Sequence, residues 1–225
     1  MTHADITPDI KLNKELDQYL LSDSYIAIEV RDAELSPSDI VLEIGAGPGN
    51  LTRALAQKAK KVIALELDQR FLPQLIGIPK AEIVIGDAMK LDWPDCDKIV
   101  SNIPYSLSSK ILLKMLKHKW SEAVIVVQNE FAQKLIKGTK LAAAVADCCE
   151  LELLDKIPAG AFRPAAIDSR IIRLKQRKQL DEEFYRFVSE LFRHKNKTIS
   201  VGRGEKKKIH QLTLDELKIL YRASA

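Results

Sequence analysis

The chain has 225 residues, of which 46% are apolar and 29% are charged, a composition that excludes a disordered protein or one embedded in a membrane. Its length fits one α/β domain of ordinary size with a small appendage. The sequence contains no signal or membrane-spanning pattern, so we expect a cytoplasmic protein with no membrane partner. The four histidines and three cysteines lack the spacing of metal ligands, and no metal site is expected.

Positive charge is concentrated toward the C-terminal end. The net charge is +4, but from Arg170 onward 15 Lys and Arg stand against 7 Asp and Glu. The residues before Arg170 are therefore net acidic. A basic tail on an acidic body favours a polyanion as partner, although a solvated charged helix has the same composition.

A glycine-rich turn is the first motif along the chain. Apolar residues recur with helical spacing over residues 13–33, with an interruption at 21–23, and residues 39–44 read as a buried strand. The strand runs directly into three glycines spaced G-x-G-x-G, at positions 45, 47 and 49. Such a turn brings backbone N–H groups close to a ligand. Asn50 occupies the place of the last glycine of a dinucleotide motif, which disfavours NAD.

Polar residues follow the next three predicted strands at the point where each strand ends. Glu66 follows strand 61–65, Asp87 follows strand 81–85, and Asn102 closes a fourth strand. Glu66 is placed to bind a pair of ribose hydroxyls, and Asp87 to accept hydrogen bonds from the amino group of a cofactor's adenine. Each has an ordinary alternative, because an acid also caps helices and loops. Their occurrence at successive strand ends predicts one ligand site along one edge of a sheet.

The tetrapeptide from Asn102 to Tyr105 suits chemistry on an amino group attached to a flat ring. The Asn102 side-chain carbonyl and the Ile103 backbone carbonyl can accept the two hydrogens of such an amine. Pro104 stiffens the turn, and Tyr105 offers a flat face on which a flipped base can stack. The alternative is a polar strand-to-helix turn without chemistry.

The second half of the chain continues the α/β pattern. Helices are predicted over 107–118 and 128–137, and strands over 123–127, 149–156 and 168–175. Phe162 lies between the last two strands and is placed to cover the target base from the face opposite Tyr105. It reads almost equally well as a core aromatic.

The composition changes after Leu174, which divides the chain into a first domain, residues 1–175, and a small basic region, residues 176–225. In the basic region we predict one helix over residues 181–192 and another that begins at Thr213. Basic side chains in this region are suited to backbone phosphates, which position a nucleic acid without reading its sequence. The candidates are Arg193, Lys195, Lys197, Lys206, Lys207 and Lys208.

With these residues in place, the chain resembles the KsgA family of ribosomal RNA adenine dimethyltransferases from about Leu16 to Ser200. The matching stretches are 18–23 (QYLLSD), 43–52 (EIGAGPGNLT), 66–68 (ELD), 86–88 (GDA), 102–105 (NIPY), 126–128 (VVQ), 160–164 (GAFRP), 168–169 (DS) and 192–195 (FRHK). So many matches in the same order are specific.

The resemblance implies a Rossmann-like, seven-stranded class I methyltransferase with a small helical C-terminal domain and S-adenosylmethionine as cofactor. It implies successive transfer of two methyl groups to N6 of each of two adjacent adenosines near the 3′ end of small-subunit rRNA. The expected partner is this rRNA or the pre-ribosomal small subunit, and the enzyme is expected to be a monomer. The implied cofactor-binding residues are Gln18, Tyr19, Leu21, Gly45, Gly47, Glu66, Asp87, Ala88 and Asn102; the implied catalytic residues are Asn102, Ile103, Pro104, Tyr105 and Phe162.

Two other functions fit the same residues. An Erm-like methyltransferase acts on large-subunit rRNA and shares the glycine turn and the Asn102–Tyr105 tetrapeptide. A catalytically idle ribosome-assembly factor would keep the fold. The intact tetrapeptide argues against the idle factor, while a polar segment after Lys140 that is shorter than in the resembled family argues for it.

Overall fold

The computed structural model describes residues 10–201 and 205–224, so residues 1–9 of the predicted first domain lie outside it. The strands are β1 (Leu20–Leu21), β2 (Ile40–Ile44), β3 (Lys61–Glu66), β4 (Ala81–Ile85), β5 (Lys98–Asn102), β6 (Glu122–Gln128), β7 (Cys149–Ile157), β8 (Phe162–Arg163), β9 (Ser169–Gln176), β10 (Thr198–Val201) and β11 (Glu205–Lys208). The α-helices are α1 (Asp23–Asp32), α2 (Asn50–Ala56), α3 (Leu72–Leu75), α4 (Ser108–Lys117), α5 (Asn129–Lys134), α6 (Lys140–Cys148), α7 (Glu182–Leu191) and α8 (Leu214–Ser224).

Seven strands form one mixed sheet in the order β4-β3-β2-β5-β6-β9-β7. Strands β2 to β6 pair in parallel, and β9 runs antiparallel to both of its neighbours, β6 and β7. The predicted Rossmann-like α/β fold is confirmed.

The central strands are mostly apolar because helices cover both faces of the sheet. In β2, Val41 and Leu42 are fully buried and Ile44 is 1% exposed. One face of the sheet packs on α4 and α6, and the other on α1 and α2. Successive side chains along each strand point alternately into these two cores, so both faces of the sheet are buried.

The parallel register brings the ends of four strands to one edge of the sheet. Ile44 pairs with Leu65, and Glu66 pairs with Ile85, so that β2, β3 and β4 end side by side, with β5 next to β2. The glycine turn, Glu66, Asp87 and Asn102 therefore follow neighbouring strands, as the order of motifs predicted. In open α/β sheets this edge is where ligands bind.

Of the two helical stretches predicted over residues 13–33, the one before the interruption at 21–23 is wrong and the one after it is confirmed. Only Asp23–Asp32 is α-helical, and Asp17, in the left-handed region at φ 53°, ends a short 3-10 turn. Leu20 and Leu21 instead form β1, which pairs antiparallel with Arg163 and Phe162 of β8. The helical spacing of the apolar residues in this segment is outweighed by strand pairing with a segment about 140 residues further along the chain. Tertiary contacts commonly outweigh local secondary-structure propensity in this way.

The second half of the molecule contains four elements that the sequence does not predict, namely α6, β8, β10 and β11. Residues 140–148 form α6, which begins within a stretch, 138–140, that reads as a loop, and the Thr139 hydroxyl caps the helix by accepting the Ala142 N–H at 3.0 Å. The C-terminal region has its predicted helices, α7 and α8, but β10 and β11 also form an antiparallel hairpin within it. These elements enclose a third core, which includes Phe184, Val188, Val201, Ile209 and Leu217. Within the described residues, no helix combines the length and the apolar character needed to cross a bilayer.

Candidate active site

A cavity of about 320 Å³ lies at the sheet edge where the four strands end. This volume is at the small end of the range for ligand sites. Its lining includes acidic side chains from five segments of the chain, and no Lys, Arg or His of the described residues lines it. The acids are Glu15, Asp17, Glu29, Glu43, Glu66 and Asp87. The cavity therefore favours a ligand that carries positive charge.

The glycine turn uses its own backbone donors internally. The N–H groups of Gly45 and Ala46 donate to the Leu65 carbonyl at 2.8 and 3.1 Å, and that of Gly49 donates to the Ala46 carbonyl at 2.9 Å. Gly45 and Gly47 need glycine, because their φ values of +82° and +54° lie in the left-handed region. The sequence predicts that this turn presents N–H groups to a ligand, and three of these groups are instead bonded within the fold. With those groups already bonded, it makes a poor phosphate site, which is a second reason to disfavour a dinucleotide.

Glu66 ties the glycine turn to the end of β3. Its Oε2 accepts the Gly47 N–H at 2.6 Å, and its Oε1 accepts the Asp68 N–H at 2.7 Å. Burial raises the pKa of Glu66, and these backbone donors oppose the shift. Glu66 also lines the cavity, and a carboxylate has more acceptor sites than these two donors use, as binding a pair of ribose hydroxyls requires.

Gln18 anchors the segment that closes this side of the cavity. Its Nε2 donates to Asp68 Oδ2 at 2.8 Å, and its Oε1 accepts the Asn13 N–H at 2.7 Å. The Arg70 guanidinium beside Asp68 holds the pKa of that carboxyl well below its usual range. Gln18 therefore contributes through the position of Tyr19 and Leu21, which also line the cavity.

Asp87 and Ala88 follow β4 and line the opposite side. Asp87 Oδ1 accepts the Met89 N–H at 2.8 Å, which fixes the turn, and Oδ2 lies 3.8 Å from the exposed Lys90 ammonium group. The Ala88 carbonyl accepts the indole N–H of Trp93 at 2.8 Å. Sequence alone had offered loop capping as the alternative role of Asp87, and the structure shows that it does cap the loop while lining the cavity.

The tetrapeptide lies where β5 meets the cavity. Asn102 is half-buried and lines the cavity, as does Pro104, whereas the Ile103 side chain is 1% exposed and belongs to the core. Asp17 Oδ2 accepts the Ser106 N–H at 2.8 Å and so joins the N-terminal segment to the turn after the tetrapeptide. Sequence reasoning missed Asp17; its place directly before the matching 18–23 stretch was the available signal.

Three aromatic rings meet around Tyr105, the last residue of the tetrapeptide. Tyr105 stacks on Tyr19 with 5.9 Å between ring centroids, and Phe162 meets Tyr105 edge to face at 6.2 Å. The Tyr105 hydroxyl shares a hydrogen bond of 2.8 Å with Ser169, and burial raises the pKa of Tyr105 to about 12. In this arrangement there is no slot between Tyr105 and Phe162. A base held between them requires Tyr105 to turn, and that sandwich stays a prediction.

The predicted RNA-binding side chains lie on the C-terminal region, away from the cavity. Arg193, Lys195, Lys197, Lys206 and Lys208 are exposed. Lys207 differs from its neighbours. It is 27% exposed and forms an ion pair of 2.8 Å with Glu216, so its charge is compensated within the fold.

The chain matches the family model described as ribosomal RNA adenine dimethylase over residues 10–223. A protein from Methanosarcina mazei named probable ribosomal RNA small subunit methyltransferase A is 43% identical over 204 aligned positions, which cover 81% of this chain and 74% of that protein. A protein of the same name from Thermococcus gammatolerans is 37% identical over 227 positions, which cover 94% of this chain and 80% of that protein. Both alignments have more positions than this chain contributes, so each relative carries residues that this chain lacks.

Two solved structures are similar to this chain over most of its length. A dimethyladenosine transferase from Plasmodium falciparum has a TM-score of 0.72 at 30% identity, covering 80% of this chain and 73% of that one. The 23S rRNA methyltransferase ErmE has a TM-score of 0.69 at 26% identity, covering 91% of this chain and 98% of that one. Because the family model matches almost the whole of the described chain and the relatives are 37–43% identical over most of it, the chain belongs to the ribosomal RNA adenine dimethylase family.

Proposed function

We propose that this protein transfers methyl groups from S-adenosylmethionine to N6 of two adjacent adenosines near the 3′ end of small-subunit rRNA, two to each base. The observation that supports the proposal most strongly is the position of Asn102, which ends β5 and lies on the wall of an acid-lined cavity. We also propose that residues 1–175 hold the cofactor, that 176–225 dock the RNA or pre-ribosomal small subunit, and that the enzyme acts as a monomer.

The cavity fits the cofactor of this family in charge. S-adenosylmethionine carries a sulfonium and an ammonium group against one carboxylate, so it is a net cation, and the lining supplies acids without a compensating base. Glu66 would hold the ribose hydroxyls, and Asp87 with Ala88 the adenine. Tyr19, Leu21, Gly45 and Gly47 would surround the methionine end. The cofactor supplies an electrophilic methyl group bonded to positively charged sulfur.

The chain itself contributes position and hydrogen-bond acceptors. The Asn102 side-chain oxygen and the Ile103 carbonyl accept the two N6 hydrogens and turn the nitrogen lone pair out of the plane of the ring. Pro104 restricts the turn that aims both acceptors, and Ser169 holds the Tyr105 ring on which the base stacks. Catalysis by alignment of amine and methyl group needs no nucleophilic side chain.

Small-subunit rRNA is favoured as substrate by the relatives. The curated proteins that match at 37–43% identity are named for the small subunit, whereas ErmE is 26% identical. One observation nevertheless favours the second candidate function, methylation of large-subunit rRNA. This chain covers 98% of the 23S rRNA methyltransferase ErmE, so its compact C-terminal region is compatible with a large-subunit enzyme.

The test is transfer of labelled methyl groups from S-adenosylmethionine to purified small and large ribosomal subunits, followed by mapping of the modified nucleotides. We expect label on two adjacent adenosines of the small subunit. Asn102→Ala removes one acceptor and should lower the transfer rate by at least about 100-fold while cofactor binding and the melting temperature stay close to wild type.

Three outcomes would contradict this function. Label on the large subunit would favour the Erm-like activity. Binding of small subunits without transfer would favour the idle assembly factor. Turnover near wild type in Asn102→Ala would remove Asn102 from the mechanism.

A further inference from the structure

A single lysine of α4 holds the turn that follows β4. The Lys114 ammonium group donates to the carbonyls of Ala88 at 2.8 Å, Met89 at 3.4 Å and Leu91 at 2.5 Å. An ammonium group has three donors, and here each donor has an acceptor in the same turn. Burial lowers the pKa of Lys114, and two nearby aspartates oppose the shift because they favour the charged form.

Two aromatic side chains complete the contact between α4 and this turn. The Trp93 indole N–H donates to the Ala88 carbonyl at 2.8 Å, and the Lys114 Nζ lies 5.0 Å from the centre of the Trp93 ring. His118 lies one helical turn after Lys114. It meets Trp93 edge to face at 5.8 Å, and its Nε2 shares a hydrogen bond of 3.1 Å with the Pro94 carbonyl. Helix α4 therefore holds this segment through two residues that are one helical turn apart.

The same turn carries Asp87, which lines the cavity. The N–H groups of Lys90 and Leu91 donate to the Asp87 carbonyl at 2.8 and 2.9 Å, and that of Met89 donates to Asp87 Oδ1. The direction of the Asp87 carboxylate is thus set by the turn, and the turn is fixed to α4 by Lys114. Removal of the ammonium group would leave three carbonyls without their donor, so the turn would no longer be held in one place.

Helix α4 also connects this turn to the tetrapeptide. The helix begins at Ser108, whose hydroxyl donates to the Tyr105 carbonyl at 2.9 Å. Ile111, Leu112 and Met115 anchor the helix in the core and are no more than 1% exposed. The six residues from the start of the helix to its lysine span about 9 Å. One rigid helix therefore sets the distance between the turn after β4 and the tetrapeptide.

We propose that Lys114 is a positioning residue for the cofactor's adenine. By donating to the carbonyls of the turn after β4, it holds the Asp87 carboxylate where that group accepts a hydrogen bond from the adenine amino group. Lys114 acts through Asp87 and is not among the residues that line the cavity. This inference rests on the cofactor of the proposed function and adds a residue on which recognition of its base depends.

Titration calorimetry with two ligands that differ only in the base tests this role. S-adenosylhomocysteine is the demethylated cofactor, and S-inosylhomocysteine carries an oxygen in place of the adenine amino group, so it has no amino hydrogen for Asp87. Wild type should prefer the adenosyl ligand by at least about tenfold, as for one charge-assisted hydrogen bond. In Lys114→Met we expect the affinity for the adenosyl ligand to fall roughly tenfold and that for the inosyl ligand to change less than about twofold.

Two further variants separate positioning from folding. Lys114→Gln keeps a polar side chain without the charge, so it serves if Lys114→Met does not fold, and it should lose the preference as well. Lys117→Met is the matched control on the same helix, because Lys117 is 50% exposed and pairs with Glu182 at 2.8 Å instead of with the turn. The control should keep the wild-type preference. Thermal unfolding of each variant verifies that it is folded.

A double-mutant cycle shows whether Lys114 acts through Asp87. Asp87→Ala removes the carboxylate and should abolish the preference by itself. In that background Lys114→Met should change the ratio of the two affinities by less than about twofold, whereas independent effects would add.

The failures of the two proposals differ. Equal weakening of both ligands in the folded Lys114 variants, an unchanged preference, the same loss in Lys117→Met, or an additive cycle would overturn the positioning role and leave the methyltransferase proposal intact. A wild-type protein whose preference depends on Lys114 but which transfers no methyl group to either ribosomal subunit would overturn the methyltransferase proposal and leave the role of Lys114 standing.

Discussion

At the scale of single residues, Glu43 shows that a residue on the cavity wall can lower the stability of the fold when it is ionised. It interrupts an apolar strand whose other central residues, Val41, Leu42 and Ile44, are no more than 1% exposed. Its folded-state pKa of about 8 lies above the ordinary value of 4.5 because the charged form is poorly solvated. The protonated form is therefore the one that the ligand-free fold tolerates.

This shift predicts how the ligand-free protein responds to pH. A group whose pKa rises on folding binds more protons in the folded state, so its contribution is full below about 4.5 and is lost as the pH rises through about 8. Glu43→Gln should remove this dependence. We expect the melting temperature of wild type, relative to that of the variant, to fall between pH 5 and pH 8.5, by about 2–4 °C for each kcal/mol lost. Parallel melting curves across this range would show that Glu43 is not shifted.

At the scale of elements, the β10–β11 hairpin separates two kinds of lysine by strand alternation. Lys206 and Lys208 are exposed, and their partners across the hairpin are Ser200 and Thr198. The side chain of Lys207 lies on the other face of the hairpin and forms an ion pair of 2.8 Å with Glu216 on α8. Three consecutive lysines are equivalent in the sequence, but the pleat assigns two of them to solvent and one to the fold.

Charge reversal tests this division. Lys206→Glu combined with Lys208→Glu should weaken RNA binding and lower the salt slope of log affinity by about 1.4–1.8, since each of the two phosphate contacts contributes about 0.7–0.9. Lys207→Gln should leave the slope unchanged and lower the melting temperature instead, because it leaves Glu216 without its partner. Filter binding of rRNA fragments at several salt concentrations measures the slope. If the double variant keeps the wild-type slope, the phosphate contacts lie elsewhere.

At the scale of the whole molecule, the C-terminal region is packed directly on the methyltransferase body. Asp147 of α6, with a side chain 1% exposed, forms ion pairs of 2.8 Å with Lys178 and with Lys218 of α8. Gly138, in the loop before α6, lies so close to His210 that a Cβ atom would be 1.6 Å from the His210 carbonyl oxygen. The short connection after α5 thus brings two backbones into contact, and only glycine fits there.

A single methyl group should therefore disturb this interface. Gly138→Ala is expected to lower the free energy of unfolding by about 2 kcal/mol or more, because backbone must move on one side of the contact. Gly160→Ala is the matched control, since a Cβ atom there meets nothing within 4 Å, and it should change stability by less than about 0.5 kcal/mol. Denaturant titration compares the two. Equal stability of both variants would mean that the loop and the C-terminal region are not tightly packed.

Much of the fold and of the candidate site could be read from local pattern. Strand β4 lies at 81–85 and strand β5 ends at Asn102, as predicted, because continuous apolar runs bounded by polar turns leave little choice of structure. The meeting of the glycine turn, Glu66, Asp87 and Asn102 followed from the same pattern, since parallel strands end at a common edge. The family resemblance then named a cofactor and a reaction for that edge.

What the local pattern left open was decided by contacts between distant segments. Leu20 and Leu21 have helical spacing but pair with β8, Asp17 acts through Ser106, and Lys207 is neutralised by Glu216. Glu29 reads in sequence as one acid on an amphipathic helix, and only packing against β2 buries it beside Glu43. Apolar periodicity shows which face of a helix or strand is buried. It does not show which polar side chain from a distant segment will pack against that face, because that depends on how the whole chain folds.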